Sequence, residues 1–366
     1  MAEVLLRGLA HSYKPNPGKP ADYAVRPLEM TWEDGGAYAL LGPSGCGKTT
    51  LLNIISGLIK PTQGNVLFDG KDVTELPTEK RNIAQVFQFP VIYDTMTVFD
   101  NLAFPLRNRD VQPADVGRRV QEIAELLELT ADLKRRASGL SADIKQKISL
   151  GRGLVRSDVA AILFDEPLTV IDPHLKPVLR SKLKQIHRQI NLTLIYVTHD
   201  QTEALTFADQ VVVMFEGGVV QVGTPQQLFE TPAHTFVGYF IGSPGMNLLS
   251  ARLLAGRVCI GDIPLPIDPG SLHLVPGDEL VVGIRPEFVR YSAVATPDAL
   301  PVQIVRVEDL GNYQIVTAKV GEQLVKAKID EDAQIKTGEA WLHFPAERLG
   351  LYLNGKALSS AQPVVI

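Results

Sequence analysis

The segment from residue 42 to residue 49 constrains the fold of this chain more than any other part of its sequence. It reads Gly-Pro-Ser-Gly-Cys-Gly-Lys-Thr, follows an apolar run at residues 37–41 and precedes a helical pattern that reaches residue 56. Glycines at these positions let backbone N–H groups surround phosphate oxygens, and the helix that follows presents its positive N-terminal end. The order of strand, loop and helix therefore predicts a phosphate site at the edge of an α/β sheet.

Two side chains of this loop have separate expected roles. Lys48 has the length and charge to reach the β- and γ-phosphates of a nucleotide, and the Thr49 hydroxyl can ligate Mg²⁺. Backbone groups of the remaining residues supply the other contacts to phosphate. The pattern thus predicts a site built from Gly42, Pro43, Ser44, Gly45, Cys46, Gly47, Lys48 and Thr49.

Two carboxylates end a second apolar run. Residues 160–164 are apolar and lead directly into Asp165 and Glu166. Because ionised groups cannot cheaply continue a buried strand, we expect both to emerge at the C-terminal edge of the sheet, where ligands bind in α/β proteins. Asp165 there suits the water shell of Mg²⁺, and Glu166 suits polarising an attacking water.

Two further polar residues follow predicted strands. His199 comes just after the strand predicted at residues 193–197 and could contact a γ-phosphate at the same sheet edge. Gln88 follows the strand predicted at residues 83–87, and its neutral amide could contact Mg²⁺ or the attacking water. Either side chain could instead have an ordinary structural role, and the sequence leaves both interpretations open.

Length and charge limit the architecture and the class of partner. A chain of 366 residues exceeds what one core usually serves, so two folded domains are expected. Apolar residues make up 45% and charged residues 21%, as in ordinary globular proteins. The net charge of -5 disfavours nucleic acid as the main partner, because proteins that bind its phosphate backbone concentrate Lys and Arg on one surface.

The hydrophobic pattern changes near residues 242–245. Before this point apolar runs alternate with helical patterns, which indicates an α/β domain. After it, Gly and Pro recur between short apolar runs such as residues 279–284 and 313–320, which indicates an all-β domain that we expect to be a small barrel. We therefore predict an α/β domain at residues 1–240 and a β domain at residues 241–366.

Cysteine content and hydropathy bear on location. Cys46 and Cys259 are too few for a disulfide framework and are consistent with a reducing compartment, by default the cytoplasm. No stretch approaches the ~20 apolar residues that a membrane-spanning helix needs. Any association with a membrane is therefore expected to go through partner proteins.

The order of these elements resembles the ABC ATPase family, and the resemblance covers essentially the whole chain. It implies a P-loop NTPase fold for the α/β domain and identifies residues 42–50 as the Walker A loop, which adds Thr50 to the phosphate site. It also implies that Tyr13 stacks on the adenine of ATP and that Gln88 belongs to the Q-loop. The implied Walker B aspartate, catalytic glutamate, D-loop aspartate and switch histidine are Asp165, Glu166, Asp172 and His199.

One motif of the family is altered. In such ATPases two subunits close head to tail, and each ATP lies between the Walker A loop of one subunit and the signature motif of the other, usually Leu-Ser-Gly-Gly-Gln. Residues 140–144 read Leu-Ser-Ala-Asp-Ile instead. Ser141 is retained and is expected to cap the helix and touch phosphate. Asp143 brings a carboxylate near a polyanion at roughly 4 kcal/mol per like-charge pair at about 4 Å, a cost that Lys145 or Lys147 is expected to offset in part.

Motifs further along the chain resemble one particular group of ABC ATPases. Gly-Thr-Pro at residues 223–225, the run at residues 236–244 and Gly-Ile-Arg-Pro-Glu at residues 283–287 look like the carbohydrate-importer ATPases of the maltose type, whose C-terminal OB-like domain is regulatory. The stretch at residues 140–175 is similar to the ATPases of bacterial glycerol importers, which work as a pair of different ATPases. The resemblance therefore implies glycerol as the solute, with a sugar, a sugar alcohol or glycerol phosphate as open alternatives.

The same resemblance implies cofactors and partners. ATP and Mg²⁺ are the expected cofactors, and two membrane permease subunits, a solute-binding protein and a second ATPase subunit are the expected partners at the cytoplasmic face of the bacterial inner membrane. The second ATPase is expected to be a related but different chain, with a homodimer as the alternative. The coupling helix of the permease is expected on residues 89–106, whose apolar side chains could instead belong to an ordinary helical core. A subunit that binds ATP but barely hydrolyses it is another alternative, although Glu166 and His199 argue against it.

Overall fold

The computed structural model describes residues 2–190, 192–270, 272–296 and 299–358. The chain divides into two compact units, and the division falls between Pro225 and Gln226. The domain boundary between residues 240 and 241 stays a prediction. None of the helices in the described ranges combines the length and the hydropathy needed to cross a bilayer.

The first unit contains strands and helices in the alternating order that the sequence predicts. Its strands β1 to β10 are Val4–His11, Val25–Trp32, Ala37–Leu41, Gln63–Phe68, Lys71–Asp72, Ala84–Val86, Ile162–Asp165, Leu194–Thr198, Gln210–Phe215 and Gly218–Gly223. Its helices α1 to α6 are Lys48–Ser56, Val98–Arg107, Pro113–Leu126, Ala142–Leu154, Lys176–Ile190 and Gln201–Phe207.

A central sheet with the strand order β10-β9-β3-β8-β7-β6 carries the site. Strands β9, β3, β8, β7 and β6 are mutually parallel, and β10 pairs antiparallel with β9. Strands β3 and β8 consist entirely of buried residues, as expected when both faces of a parallel sheet are covered. The predicted α/β fold is therefore confirmed.

The register of these parallel strands brings their C-terminal ends to one edge. Leu41 at the end of β3 pairs with Thr198 at the end of β8, and Asp165 at the end of β7 pairs with Val197. Val86 at the end of β6 pairs with Phe164. The segments that follow these four strands consequently begin side by side.

The antiparallel sheet β2-β1-β4-β5 shares a core with the central sheet. Side chains from β1, β3, α1 and β4 meet in this core with no solvent exposure, among them Leu6, Leu40, Leu51, Ile55 and Val66. Burial of a Leu or Ile side chain contributes about 1.5–3 kcal/mol, so this core fixes α1 firmly against the sheet. The loop between β3 and α1 is thereby held at both ends.

Helices α2, α3 and α4 form a helical layer within the first unit. Gly151 on α4 allows the closest approach, because a Cβ at this position would lie 2.5 Å from Leu102 of α2 and 3.2 Å from Leu127, which follows α3. Thr97 caps α2 by accepting a hydrogen bond from the Asp100 amide at 3.1 Å. The helical layer is therefore tightly packed around α4, the helix that begins at the altered signature motif.

The strands of the second unit pair antiparallel and form most of its regular structure. It contains α8 (Thr235–Phe240), together with all but the first residue of α7 (Pro225–Glu230). Its strands β11 to β22 are Asn247–Ser250, Arg252–Leu254, Arg257–Ile260, Ile263–Pro264, Leu280–Ile284, Arg290–Ser292, Ala299–Asp309, Tyr313–Val320, Gln323–Asp330, Gly338–His343, Gly350–Leu353 and Lys356–Ala357. They form sheets β11-β15-β21-β22, β12-β13-β14 and β16-β20-β17-β18-β19 around a separate apolar core. The predicted all-β character of this region is confirmed.

Arg285, just after β15, is the main buried polar link of this unit. It is 2% exposed and donates hydrogen bonds to the carbonyls of Leu228, at 3.2 Å, and of Phe229 in the last turn of α7. It also donates to the carbonyls of Gly238, at 3.3 Å, and Ile241 at the end of α8. Burial lowers the pKa of Arg285 to about 10, so the side chain stays charged near neutral pH. The guanidinium thus supplies donors to carbonyls at the ends of two helices, of which the Gly238 carbonyl also accepts from the Met246 amide at 3.0 Å.

We expect Arg285→Met to destabilise the second unit, because the carbonyls of α7 and α8 would lose a shared donor in a buried place. Leaving such groups unsatisfied costs roughly 3 kcal/mol in total. Hydrogen–deuterium exchange of peptides covering α8 and β15 measures the loss of protection. Arg290→Met, at an exposed position of β16, is the matched control. Unchanged exchange in Arg285→Met would contradict the assigned role.

Candidate functional site

The phosphate loop after β3 turns its lysine inward. Lys48 is 5% exposed, and its Nζ donates to the carbonyl oxygens of Gly42 at 2.8 Å and Pro43 at 2.9 Å. The Cys46 thiol lies 3.8 Å from the same amine, and burial raises the pKa of that thiol. Lys48 is therefore held within the loop, where phosphate oxygens can replace the carbonyls as its acceptors.

Gly47 allows the sharp turn from the loop into α1. Its φ is 101°, in the left-handed region that favours glycine, and a Cβ there would lie 2.2 Å from the carbonyl oxygen of Ala24. The Gly47 carbonyl accepts the hydrogen bond from the Leu51 amide at 2.9 Å that starts the helix. The loop backbone can therefore run close to a ligand at the positive end of α1.

Thr49 and Asp165 form a pair of oxygen donors beside the loop. The Thr49 hydroxyl donates to Asp165 Oδ1 at 3.2 Å. Burial is the main cause that raises the pKa of Asp165, and the charge of Glu166 adds to it, whereas the bond from Thr49 acts in the opposite direction. A bound cation would oppose the rise and keep the carboxylate ionised.

This pair fits Mg²⁺ better than a metal that needs a full protein cage. Within the described ranges, no three His, Cys, Asp or Glu side chains group together as metal ligands. Mg²⁺ usually takes only one or two protein oxygens and completes its shell with water and substrate phosphates. Thr49 and Asp165 can supply those oxygens next to the phosphate loop.

Glu166 and His199 form the second pair at the sheet edge. Glu166 Oε1 lies 3.0 Å from His199 Nδ1, and the Thr169 hydroxyl donates to Glu166 Oε2 at 3.3 Å. Glu166 has φ 47°, a left-handed conformation that residues other than Gly, Asn and Asp rarely adopt. This turn lets the chain leave β7 while the carboxylate stays at the edge, where it can accept a proton or polarise a water.

Tyr13 provides an aromatic surface near the start of α1. Its side chain is 67% exposed, and its hydroxyl shares a 3.2 Å hydrogen bond with the Thr50 hydroxyl. The His11 ring packs edge-on against the Tyr13 ring, with 4.7 Å between the ring centroids. The exposed ring next to the phosphate loop can stack on a nucleotide base.

Gln88, Ser141 and Asp172 are not joined to these pairs by hydrogen bonds within the described part of the chain. Gln88 is half-buried beyond the end of β6. The Asp172 carboxylate accepts from the His174 amide at 2.8 Å, which makes a local turn. Ser141 lies at the start of α4, which a partner subunit would have to approach for the expected composite site to form.

The expected cap at Ser141 is wrong. Ser141 occupies the N-cap position of α4 but makes no side-chain cap hydrogen bond. Its hydroxyl donates to Asp143 Oδ2 at 3.3 Å, a carboxylate only two residues away. The replacement of a signature glycine by Asp143 therefore changes the use of the retained serine as well.

The lysines that were expected to offset the Asp143 charge have other partners. Lys145 Nζ lies 2.9 Å from Asp94, and Lys147 Nζ lies 3.4 Å from Glu128. The carboxylate of Asp143 forms no ion pair in the described ranges. These lysines therefore do not offset the Asp143 charge, which lies instead in the first turn of α4, next to the positive N-terminal end of that helix.

Sequence reasoning missed Gln146 in the middle of α4. This residue is fully buried, and its Nε2 donates to the Pro167 carbonyl at 2.7 Å and the Phe87 carbonyl at 3.3 Å. Pro167 follows Glu166, and Phe87 precedes Gln88, so one side chain links α4 to both segments. The available signal was spacing, since Gln146 shares the buried helical face of Leu150 and Leu154.

Three family models match the chain. The model described as ABC transporter matches residues 25–169, the model of the MalK OB fold domain matches residues 242–289, and the model of the TOBE domain matches residues 282–351. The first match includes the phosphate loop, Asp165 and Glu166. The other two fall in the β-rich second unit.

Similar proteins cover nearly the full length. The sn-glycerol-3-phosphate import ATP-binding protein UgpC of Bordetella avium is 37% identical over 93% of each chain. The trehalose/maltose import ATP-binding protein MalK of Thermococcus litoralis is 39% identical over 92% of this chain and 95% of its own. The solved structure of cbiO1 from Clostridium perfringens, part of an ABC transporter complex, superposes with a TM-score of 0.56 at 25% identity, covering 62% of this chain and 90% of its own. The chain belongs to the ABC transporter family, as an ATPase of the carbohydrate-importer group that contains UgpC and MalK.

Proposed function

We propose that this chain hydrolyses ATP to energise uptake of a small polyol or carbohydrate, with glycerol as the solute. The observation that carries the ATPase assignment is the meeting of the phosphate loop, the Thr49–Asp165 pair and the Glu166–His199 pair at one edge of the sheet. Relatives with 37% and 39% identity over at least nine tenths of the chain carry the names of import ATP-binding proteins. The similarity to these import proteins supports solute transport as the role of this chain.

The residues at the edge have distinct roles in the proposed reaction. Lys48 and the loop amides hold the β- and γ-phosphates, and Tyr13 stacks on the adenine. Thr49, Asp165 and Gln88 are the residues that would hold Mg²⁺, which supplies neutralisation of phosphate charge when bound. Glu166 orients the attacking water and accepts its proton. His199 holds the Glu166 carboxylate and can contact the γ-phosphate.

An exposed apolar surface near Gln88 supports the proposed contact with a membrane permease. Phe89 is 66% exposed and Val91 is 54% exposed, and both are apolar. Beside them Arg152 lies over the Tyr93 ring at 4.7 Å, next to a cavity of about 250 Å³. An apolar surface of this kind fits a helix of a membrane permease. We assign this surface to the coupling helix of the permease. This contact would place the chain at the cytoplasmic face of the inner membrane. The proposed complex there contains two permease subunits and works with a solute-binding protein.

The start of α4 favours a heterodimer with a second, related ATPase. A homodimer would place Asp143 against ATP twice, whereas a different partner can bring an ordinary signature motif to the ATP held by this chain. This chain then hydrolyses its own ATP, and the altered signature affects only the ATP of the partner. The Asp143 carboxylate, which forms no ion pair in the described ranges, also supports a second candidate function, that of a regulatory subunit that binds ATP but barely hydrolyses it.

The solute assignment is tested with the transporter purified through a tag on this chain. We expect glycerol, added with the binding protein, to stimulate ATP hydrolysis, and mass spectrometry to identify a second ATPase in the complex. Glycerol phosphate, a sugar alcohol and maltose are the comparison solutes. Stimulation by maltose alone in a complex with one kind of ATPase would overturn both the solute and the heterodimer while leaving the ATPase assignment in place.

Glu166→Gln should abolish turnover without loss of nucleotide binding, because the amide keeps the shape of the carboxylate but cannot accept the proton from water. The expected loss in kcat is roughly 10²-fold or more. Steady-state phosphate release and ATP binding to the same preparation are the two measurements. Glu75→Gln, at an exposed carboxylate paired with Lys60, is the control. A wild-type rate in Glu166→Gln would show that this carboxylate is not the catalytic base.

Asp143→Asn should raise turnover of the assembled complex, because it removes the charge near the partner's ATP and keeps the side-chain size. An increase in kcat of about threefold or more is expected if repulsion limits that site. Asp115→Asn, in the first turn of α3, is the matched control. A collapse of turnover would instead show that the partner subunit has adapted to the carboxylate.

A further inference from the structure

Glu203 on α6 is a buried carboxylate that has no role in the proposed reaction. It is 3% exposed and lies four residues beyond His199. Its Oε2 accepts hydrogen bonds from the Tyr196 hydroxyl at 3.0 Å and the Thr198 hydroxyl at 2.8 Å. Its Oε1 lies 3.4 Å from the ammonium of Lys176. Three donors from two different elements therefore converge on one side chain.

A carboxylate at this depth persists only because these donors compensate its burial. Burial, together with the charge of Glu203, raises the pKa of Tyr196 well above its usual range, so the phenol stays protonated and can donate. The other charged groups near this pair are Arg180 and Asp200. Such a cluster is costly to disturb and holds its members in a fixed geometry.

Thr198 connects the cluster to the switch histidine. Its hydroxyl donates to Glu203 and accepts from the Asp200 amide at 3.0 Å. Thr198 and Asp200 are the two neighbours of His199 in the chain, so both sides of the turn that carries the imidazole are attached to one hydroxyl. That imidazole is the group 3.0 Å from Glu166.

Lys176 connects the same cluster to the segment that contains Asp172. It is the first residue of α5, and its amide donates to the Asp172 carbonyl at 3.2 Å. Its side chain reaches across to α6 and is about three quarters buried. Glu203 therefore lies between the turn that carries His199 and the segment that contains Asp172.

We propose that Glu203 is a positioning residue that holds His199 against Glu166 and ties this turn to the Asp172 segment. This inference rests on the proposed roles of Glu166 and His199. Glu203 touches no reacting atom itself and acts through Thr198 and Lys176. Movement of either segment when the partner closes is therefore transmitted to the other through a single carboxylate.

A double-mutant cycle in the purified complex tests the proposal. Glu203→Gln is expected to lower kcat roughly tenfold with the KM for ATP unchanged within about twofold, because positioning is lost and binding is not. In the His199→Ala background the same change should lower kcat by less than about twofold, because the residue through which Glu203 acts is absent. Glu125→Gln, at an exposed carboxylate on α3, is the matched control.

A second pair of variants covers the case in which Glu203→Gln fails to fold. Thr198→Val keeps the shape but removes the hydroxyl, and should reproduce the fall in kcat, whereas Thr198→Ser keeps the hydroxyl and should restore it. Wild-type kcat in Thr198→Val, or full multiplication of the Glu203 and His199 effects, would overturn the positioning role. Absence of hydrolysis in the wild-type complex, or an unchanged rate in His199→Ala, would instead count against the proposed function.

Discussion

The parallel pairing of β6, β7, β8 and β3 is the constraint on which the rest of the site depends. Its register aligns the ends of four strands, so Gln88, Glu166, His199 and the phosphate loop all start from one edge. No single strand could bring a carboxylate, an imidazole and a glycine-rich loop together. The buried apolar faces of these strands hold that register, because a slip by one residue would exchange the side chains of the two faces.

Buried polar side chains then connect the edge to the helices around it. Gln146 links α4 to the segments before Gln88 and after Glu166, and Glu203 links β8 to α5. Within the second unit, Arg285 links the end of β15 to α7 and α8 in a similar way. An apolar core alone resists separation of these elements but tolerates small slides. Directional hydrogen bonds in a dry environment resist such slides, which suits an enzyme whose reacting groups must meet within tenths of an ångström.

The fold could be predicted well because its signals are local and repeated. The strand predicted at residues 37–41 coincides with β3, and the all-β pattern after residue 245 corresponds to β11 to β22. The phosphate loop was recognisable because its chemistry lies in consecutive residues. Glu203 and Gln146 could not be found in this way, because their hydrogen-bond partners lie on other elements; for Gln146 the helical spacing indicates a buried position but not what the side chain contacts. The expected cap at Ser141 was wrong for a similar reason, since the sequence does not show where its hydroxyl points, which is toward Asp143 Oδ2.

Binding of Mg·ATP to the full-length chain tests the central claim most directly, because every proposed role begins with a nucleotide at the phosphate loop. Isothermal titration of the wild type against Lys48→Met is the decisive comparison, since Met retains much of the length of the lysine and removes its charge. The account predicts one ATP per wild-type chain and an affinity at least about tenfold weaker in the variant. Equal affinity in both chains would contradict it and would place the nucleotide elsewhere.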